Sequence, residues 1–289
     1  MRILGMDVPE KALSSDEVAY LSQLQGRDLH LAEIWELMDR AWESAGADQA
    51  EADKQALAQF YASPVWLLNG IFTEYDTESK CHRDGIANWL AERAFDLIFD
   101  YGGGFGSLAR KIATLCPATQ VHVVEPFPRK LAQGLAEHFP NLTFVPAMSG
   151  NADCIIAQDV LEHISDPLAV FGQLLDHVKV GGYVITANCF YPVIKCHLPQ
   201  TFHFRYTFRH VVPSLGCLYI GTIPGVGHAQ IFQKTDSTPD WHKARRQEHL
   251  SRKFARLLHP IVEPGKLLVK PLWRMYQGLR DTGTLSKSA

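Results

Sequence analysis

The chain has 289 residues, 46% of them hydrophobic and 20% charged, which is enough to bury a full core and too apolar for a disordered protein. A net charge of −3 gives no ground for nucleic-acid binding, and six cysteines without a C-x-x-C pair indicate neither a zinc site nor a disulfide framework. Asp7 and Glu10 break the apolar run a secretory leader needs, and no stretch reaches the roughly 18 apolar residues of a membrane span, so a cytoplasmic protein with reduced thiols is expected.

Residues 1–94 carry helical periodicity. Leu29, Leu31, Ile34, Leu37, Met38, Ala41 and Trp42 recur at steps of three and four, one stripe of a helix. A second helical stretch is predicted from about Ala50 to Tyr61. Pro64 then interrupts it, and an apolar run from Val65 to Phe72 comes next. A third helix is predicted from about Asp84 to Arg93. This preface reads as a helical extension, either packed on the rest of the chain or serving as a lid over it.

From Phe95 the period changes to short β-branched and aromatic runs alternating with amphipathic segments, the mark of a parallel sheet with crossover helices. Strands are predicted at about 95–101, 120–125, 142–146, 152–158 and 182–189, with helices at about 106–116, 128–139 and 166–178 between them. A helix near 206–215 precedes two last runs, 217–223 and 228–234. Only Pro224 to Gly227 separates those runs, too few residues for a crossover, so they are expected to pair as an antiparallel hairpin. The fold class is α/β, a doubly wound, mostly parallel seven-stranded sheet with an antiparallel last strand. The expected division is a helical extension over 1–94, an α/β domain over 95–234 and a basic helical tail over 235–289.

The chemistry concentrates at the turn Asp100-Tyr101-Gly102-Gly103-Gly104-Phe105-Gly106, which links a strand to a helix. Without side chains in the way, backbone can approach a ligand closely there, and the helix start favours a negative group. Asp100 can stabilise the turn and bind donors. Glu125 ends the next strand, 19 residues after Gly106, where a carboxylate can accept from two ribose hydroxyls. These features ask for a nucleoside cofactor without choosing it, because Gly104 to Ala109 also satisfies the dinucleotide G-x-G-x-x-G/A fingerprint.

The spacing Asp100-x-Gly102-x-Gly104-x-Gly106 resembles the first motif of the class I, Rossmann-like methyltransferases that use S-adenosylmethionine. Asp159-Val160-Leu161-Glu162-His163-Ile164, followed by Asp166-Pro167, is similar to that family's segment after the fourth strand, and Val178-Lys179-Val180-Gly181-Gly182 to its turn before the fifth. The resemblance covers about residues 95–234. It implies that Gly102, Gly104 and Gly106 hold the methionine part of the cofactor, Glu125 the ribose and Met148 the adenine. At the adenine position many relatives place an acidic residue, whereas this chain has Met148-Ser149-Gly150-Asn151.

Asp159, at the carboxyl end of the fourth strand, is expected to face the cofactor's charged end. Arg83, just before the sheet, is a guanidinium suited to clamp the cofactor's carboxylate. Methyl transfer needs no protein nucleophile, only in-line alignment and exclusion of water. A hydroxyl acceptor needs a base, and His163 and His203 are the candidates. His203 belongs to a loop rich in histidine and aromatics, Cys196 to Thr207; Cys196, His197 and His203 lack a recognisable fourth metal ligand, so no metal is assigned.

The acceptor is expected to be a small molecule, including saccharide and lipid-linked compounds. Two alternatives stay open: a nicotinamide-dependent oxidoreductase, and a scaffold that binds the cofactor without turnover. Residues 235–289 carry a net +6 against −9 for the remainder. Lys243, Arg245, Arg246, Arg252, Lys253 and Arg256, beside Leu257, Leu258 and Trp273, suggest peripheral docking on an anionic membrane or a partner enzyme.

Overall fold

Seven strands build the central sheet in the computed structural model, which describes residues 1–47 and 54–255. The chain opens with a short hairpin, β1 (Arg2–Ile3) and β2 (Met6–Asp7), turned by Leu4 and Gly5 in the left-handed region. Five helices come next: α1 (Ser15–Ser22), α2 (Leu31–Ser44), α3 (Lys54–Ala62), α4 (Val65–Tyr75) and α5 (Thr77–Ala91). Ser14 and Glu17 close a reciprocal capping box on α1, each accepting from the other's backbone N–H.

Neither the hairpin nor α1 is among the predicted elements, and α5 starts seven residues before the predicted Asp84. Its start is written in the sequence: Asp76 accepts from the Ser79 N–H at 2.7 Å, an N-cap that satisfies one of the first turn's open donors.

The alternating region runs β3 (Leu97–Tyr101), α6 (Ser107–Leu115), β4 (Gln120–Val124), α7 (Lys130–Ala136), β5 (Leu142–Val145), β6 (Ala152–Gln158), α8 (Pro167–Asp176), β7 (Val178–Ala187), α9 (Phe204–Val211), β8 (Cys217–Ile223) and β9 (Val226–Lys234). The spatial order is β5-β4-β3-β6-β7-β9-β8, with β9 antiparallel to both neighbours and the other pairs parallel. The predicted elements are therefore present, and the last strand is the antiparallel one.

β7 begins four residues before the predicted position, because Val178 already pairs with Ala152 ahead of a register shift. At the predicted start Gly182 is needed sterically: an added Cβ would stand 2.6 Å from the Asp153 carbonyl oxygen. The region expected as one helix over 206–215 is α9 followed by a 3-10 turn over Val212–Leu215, where Pro213 cannot donate an α-helical hydrogen bond.

Two apolar clusters sit against the sheet. One joins α5 and α6 to the sheet through Ile86, Leu90, Ile98, Ile112, Cys154 and Ile156. The other gathers the helical extension, as Ile34, Trp42, Phe60, Leu68 and Ile71, around Phe105 of the glycine-rich turn and Ile194 and Cys196 of the loop after β7. Arg129, at the start of α7, ties the extension down: it meets Glu17 of α1 at 3.1 Å and donates to the carbonyls of Tyr61 and Ser63.

Residues Met1–Trp241 form one compact unit and His242–Ala289 a second. In the second, residues 242–255 are helical, and Glu248 takes ion pairs from Arg245 and Arg252 at 2.8 and 2.7 Å. The rest of the tail, including Arg256, Leu257, Leu258 and Trp273, lies outside the described residues, as do residues 48–53 with the predicted helix start at Ala50. Among the described residues no helix is long and apolar enough to cross a membrane.

Candidate functional site

The chain leaves β3 toward β4 on one side of the sheet, and β6 and β7 extend it on the other. The carboxyl ends of β3 and β6 therefore flank a crevice at the point where strand order reverses, the usual ligand position in open α/β sheets.

On the β3 side the turn takes positive φ at Gly102, Gly104 and Gly106 (68°, 49° and 71°). At Gly102 a side chain is excluded twice over, by the left-handed backbone and by Val160, whose Cγ2 would lie 2.8 Å from an added Cβ. Gly104 differs: an added Cβ would meet nothing within 4 Å except the Gly102 carbonyl at 3.9 Å, so space above it is open.

Asp100, 2% exposed, lies directly under this turn. Its Oδ2 has no hydrogen-bond partner. Burial, partly opposed by the Ala109 N–H, pushes its carboxyl up to about 7. A buried polar oxygen left unmatched beside an open, side-chain-free turn is the arrangement of a site that a ligand completes.

The turn is supported from behind. Arg110 of α6 donates to the Phe105 carbonyl at 2.7 Å and pairs with Glu74 of α4 at 2.6 Å. Gly70 of α4 faces Phe105 so closely that an added Cβ would stand 2.7 Å from its ring. Arg83 is buried and donates to the Thr73 carbonyl at 2.6 Å. It thus joins the Glu74 and Arg110 cluster at the end of α4.

Glu125 follows β4 and accepts from the Phe127 N–H at 3.1 Å. Met148 follows β5 and is half-buried. Both stand on the same carboxyl edge of the sheet as the glycine turn.

Across the crevice Asp159 takes a left-handed φ of 53° at the end of β6, a conformation Asp tolerates better than most residues. It keeps solvent-accessible surface while protein crowds it closely enough to raise its pKa, as expected of a group on a cleft wall. Beyond it the 3-10 turn Leu161–His163 carries two more groups. Glu162 is fully buried; its Oε1 accepts from the Cys189 N–H at 2.7 Å, and its Oε2 has no partner. Burial, reinforced by Asp159, pushes the Glu162 carboxyl up to about 8.

His163 meets His197 edge-on at 4.9 Å and Trp66 of α4 at 6.1 Å. The His163 Nδ1 lies 3.1 Å from the Cys196 carbonyl and the His197 Nδ1 lies 2.8 Å from the Tyr191 carbonyl. A carbonyl only accepts, so each Nδ1 carries the proton and each Nε2 keeps a lone pair. Burial drives His163 down to about 3 and also lowers His197. Tyr61 stacks on Trp66 at 5.4 Å, and His82 meets His228 at 4.4 Å.

His203, the other predicted base, is held differently. It precedes α9 and its ring lies 4.0 Å from Phe204, beside the aromatic cluster of Phe190, Phe208, Phe171 and Phe232. The structure brings His163 together with Glu162 and His197, and sets His203 among the aromatics. Spacing along the chain groups His197 only with Cys196 and His203. The Leu198 N–H, bonded to the Glu162 carbonyl at 2.9 Å, explains its actual place, a long-range contact that no local spacing announces.

A family profile described as "Methyltransferase domain" matches residues 76–256, well over half of the chain. Among solved structures, the O-methyltransferase NcsB1 from neocarzinostatin biosynthesis, in complex with S-adenosyl-L-homocysteine and 1,4-dihydroxy-2-naphthoic acid, is similar at 14% identity. The match covers 74% of this chain and 76% of that one, with a TM-score of 0.51. A putative O-methyltransferase from Nostoc punctiforme matches at 16% identity over 75% of this chain and 71% of that one, TM-score 0.50. No curated protein matches the sequence. The glycine turn, the reversed strand order and the antiparallel β9 agree with that profile: the chain belongs to the methyltransferase-domain family and is an S-adenosylmethionine-dependent methyltransferase of the α/β fold.

Proposed function

We propose that this enzyme methylates a hydroxyl of a small molecule bound in the crevice between the carboxyl ends of β3 and β6. The observation that carries the reading is the pairing of an open glycine turn over the unmatched Asp100 oxygen with an aromatic and histidine-lined wall opposite.

The cofactor fits the first half. Gly102, Gly104 and Gly106 would receive its methionine part, Asp100 would ionise on meeting a donor there, Glu125 would take the ribose hydroxyls and Met148 the adenine face. Asp159 would face the charged sulfur. Arg83 would act through α4, keeping Glu74 and Arg110 seated behind the turn. When bound, the cofactor supplies a methyl group on a positively charged sulfur, already activated for attack.

The protein then has to orient the acceptor and exclude water. Trp66, Tyr61 and the His163 and His197 rings offer flat walls to a planar acceptor, and the imidazole Nε2 lone pairs can accept its hydroxyl proton in a hydrogen bond. Neither imidazole is suited to store that proton, because burial holds both in the neutral form. The resemblance to NcsB1, whose structure holds a dihydroxynaphthoic acid, is in keeping with a phenolic acceptor.

The test is calorimetric titration with S-adenosylmethionine, followed by methyl transfer from labelled cofactor to a panel of phenols and sugars. Binding followed by labelled methyl ethers is the expected result. Binding with no transfer to any hydroxyl would mean an acceptor atom other than oxygen, or a cofactor-binding scaffold. The tail's basic residues support docking on an anionic surface or a partner enzyme; equal liposome pelleting of the intact chain and one ended at Lys234 would discard the membrane.

A further inference from the structure

Outside the cofactor half, one cluster holds more chemistry than orientation requires. Glu162 and His163 come from the 3-10 turn after β6, and His197 from the loop after β7. A ligand-type atom from each lies within 4.8 Å of the other two. We infer that Glu162, His163 and His197 form a site for one divalent first-row transition ion such as zinc, on the acceptor wall of the cleft.

Three observations converge. First, the donor set is two imidazoles and one carboxylate, a combination that binds such ions through three protein ligands and leaves a position open. Second, each imidazole is oriented by an Nδ1–H donated to a backbone carbonyl, of Cys196 and of Tyr191, which fixes the Nε2 lone pair as the coordinating one. That outer bond accompanies nearly every metal-bound histidine. Third, Glu162 is fully buried with Oε1 held by the Cys189 N–H and Oε2 without a partner. A buried carboxyl oxygen left without a partner is costly, and a bound ion would supply that partner as the carboxyl gives up its proton to solvent.

Ligand atoms around zinc, with bonds of about 2.0–2.2 Å, stand roughly 3.4 Å apart, so from separations of at most 4.8 Å the cluster would contract by no more than about 1.4 Å on binding.

The role of the ion rests on the proposed hydroxyl acceptor: with the ion held by the two Nε2 atoms, the hydroxyl would bind at the open position in place of its hydrogen bond to an imidazole, be acidified and release its proton to solvent before attack. The binding itself rests only on the cluster.

The experiment uses the full chain, stripped with a chelator and titrated with zinc against a chromophoric competitor, with cobalt as a visible probe. One equivalent is expected to bind, with a cobalt spectrum of low coordination number. Glu162→Gln and His197→Gln are each expected to weaken binding at least 10-fold to 100-fold, while the surface change His138→Gln leaves it unchanged. Circular dichroism and melting of the stripped variants confirm folding. Absence of stoichiometric binding by the wild type, or equal binding by both cluster variants, would overturn the site. Cofactor affinity, measured on the same stripped proteins, separates a failure of this site from a failure of the methyltransferase crevice.

Discussion

The two walls of the crevice are built from different materials. On the β3 side the functional surface is backbone, a turn whose glycines take left-handed φ over a buried carboxylate, with α4 and Arg110 bracing it from behind. On the β6 side it is side chains, two imidazoles and a carboxylate drawn together from a turn and a distant loop. A backbone wall is written in consecutive residues and serves one ligand shared by many enzymes. The side-chain wall is assembled across the fold and, on the reading proposed above, faces the acceptor.

Breaking the first wall at its charge has the largest expected effect. The Asp100 carboxyl is raised from 3.8 to about 7, so the native state keeps a proton that the unfolded chain has lost between those values, and stability falls as pH rises through that window. Asp100→Asn should remove that fall, which makes the variant more stable than wild type above pH 7 by up to roughly 4 kcal/mol, while weakening cofactor binding. Melting temperature against pH, measured beside a cofactor titration, checks both signs; a loss of stability at every pH would contradict the assignment.

Gly104→Asp should fold, because space there is open and Asp tolerates a left-handed backbone, yet its charge opposes the cofactor's carboxylate. Cofactor affinity is expected to drop more than about 100-fold, or roughly 2.7 kcal/mol. Unchanged affinity would show that the cofactor does not sit over this turn. Gly70→Ala tests the bracing: a Cβ 2.7 Å from Phe105 is overpacked, and a stability loss of about 1–3 kcal/mol is expected in denaturant melts.

Smaller effects sharpen the contrast between the walls. Asp159→Asn keeps the left-handed turn, since Asn adopts it equally well, and removes the charge proposed to face the sulfur; Glu125→Ala removes the proposed ribose acceptor. Each is expected to weaken the cofactor about tenfold, near 1.4 kcal/mol. If Asp159→Asn alters turnover and leaves cofactor affinity intact, Asp159 belongs to the acceptor wall instead.

The same contrast explains what the sequence discloses. The strands from β3 to β9 and the helices between them are legible because each has its own period and its own turn residues, and the short gap after Ile223, read as Pro224 to Gly227 and observed as Pro224-Gly225, forces the hairpin. The Asp100 to Gly106 turn is legible for the same reason. The α5 start is readable at Asp76, although the later apolar residues dominate the periodicity and draw the predicted start toward Asp84. His197 cannot be paired with His163 from spacing, since their meeting depends on two backbone N–H groups, of Cys189 and Leu198, reaching Glu162 from another loop. A lone guanidinium invites the reading of Arg83 as a ligand clamp, whereas its Nη2 is engaged by the Thr73 carbonyl.

The seat of Phe105 against Gly70 means that the stretch recognisable as a methyltransferase domain and the stretch that packs as one core are different lengths of chain. Excising residues 76–256 would remove the helix that covers Phe105, deprive Arg110 of the Glu74 carboxylate and Arg129 of Glu17, and expose the apolar cluster shared with Ile194 and Cys196. The family match begins at Asp76, but the core it shares reaches back into the helical extension, so a cut made at the family boundary would sever a core.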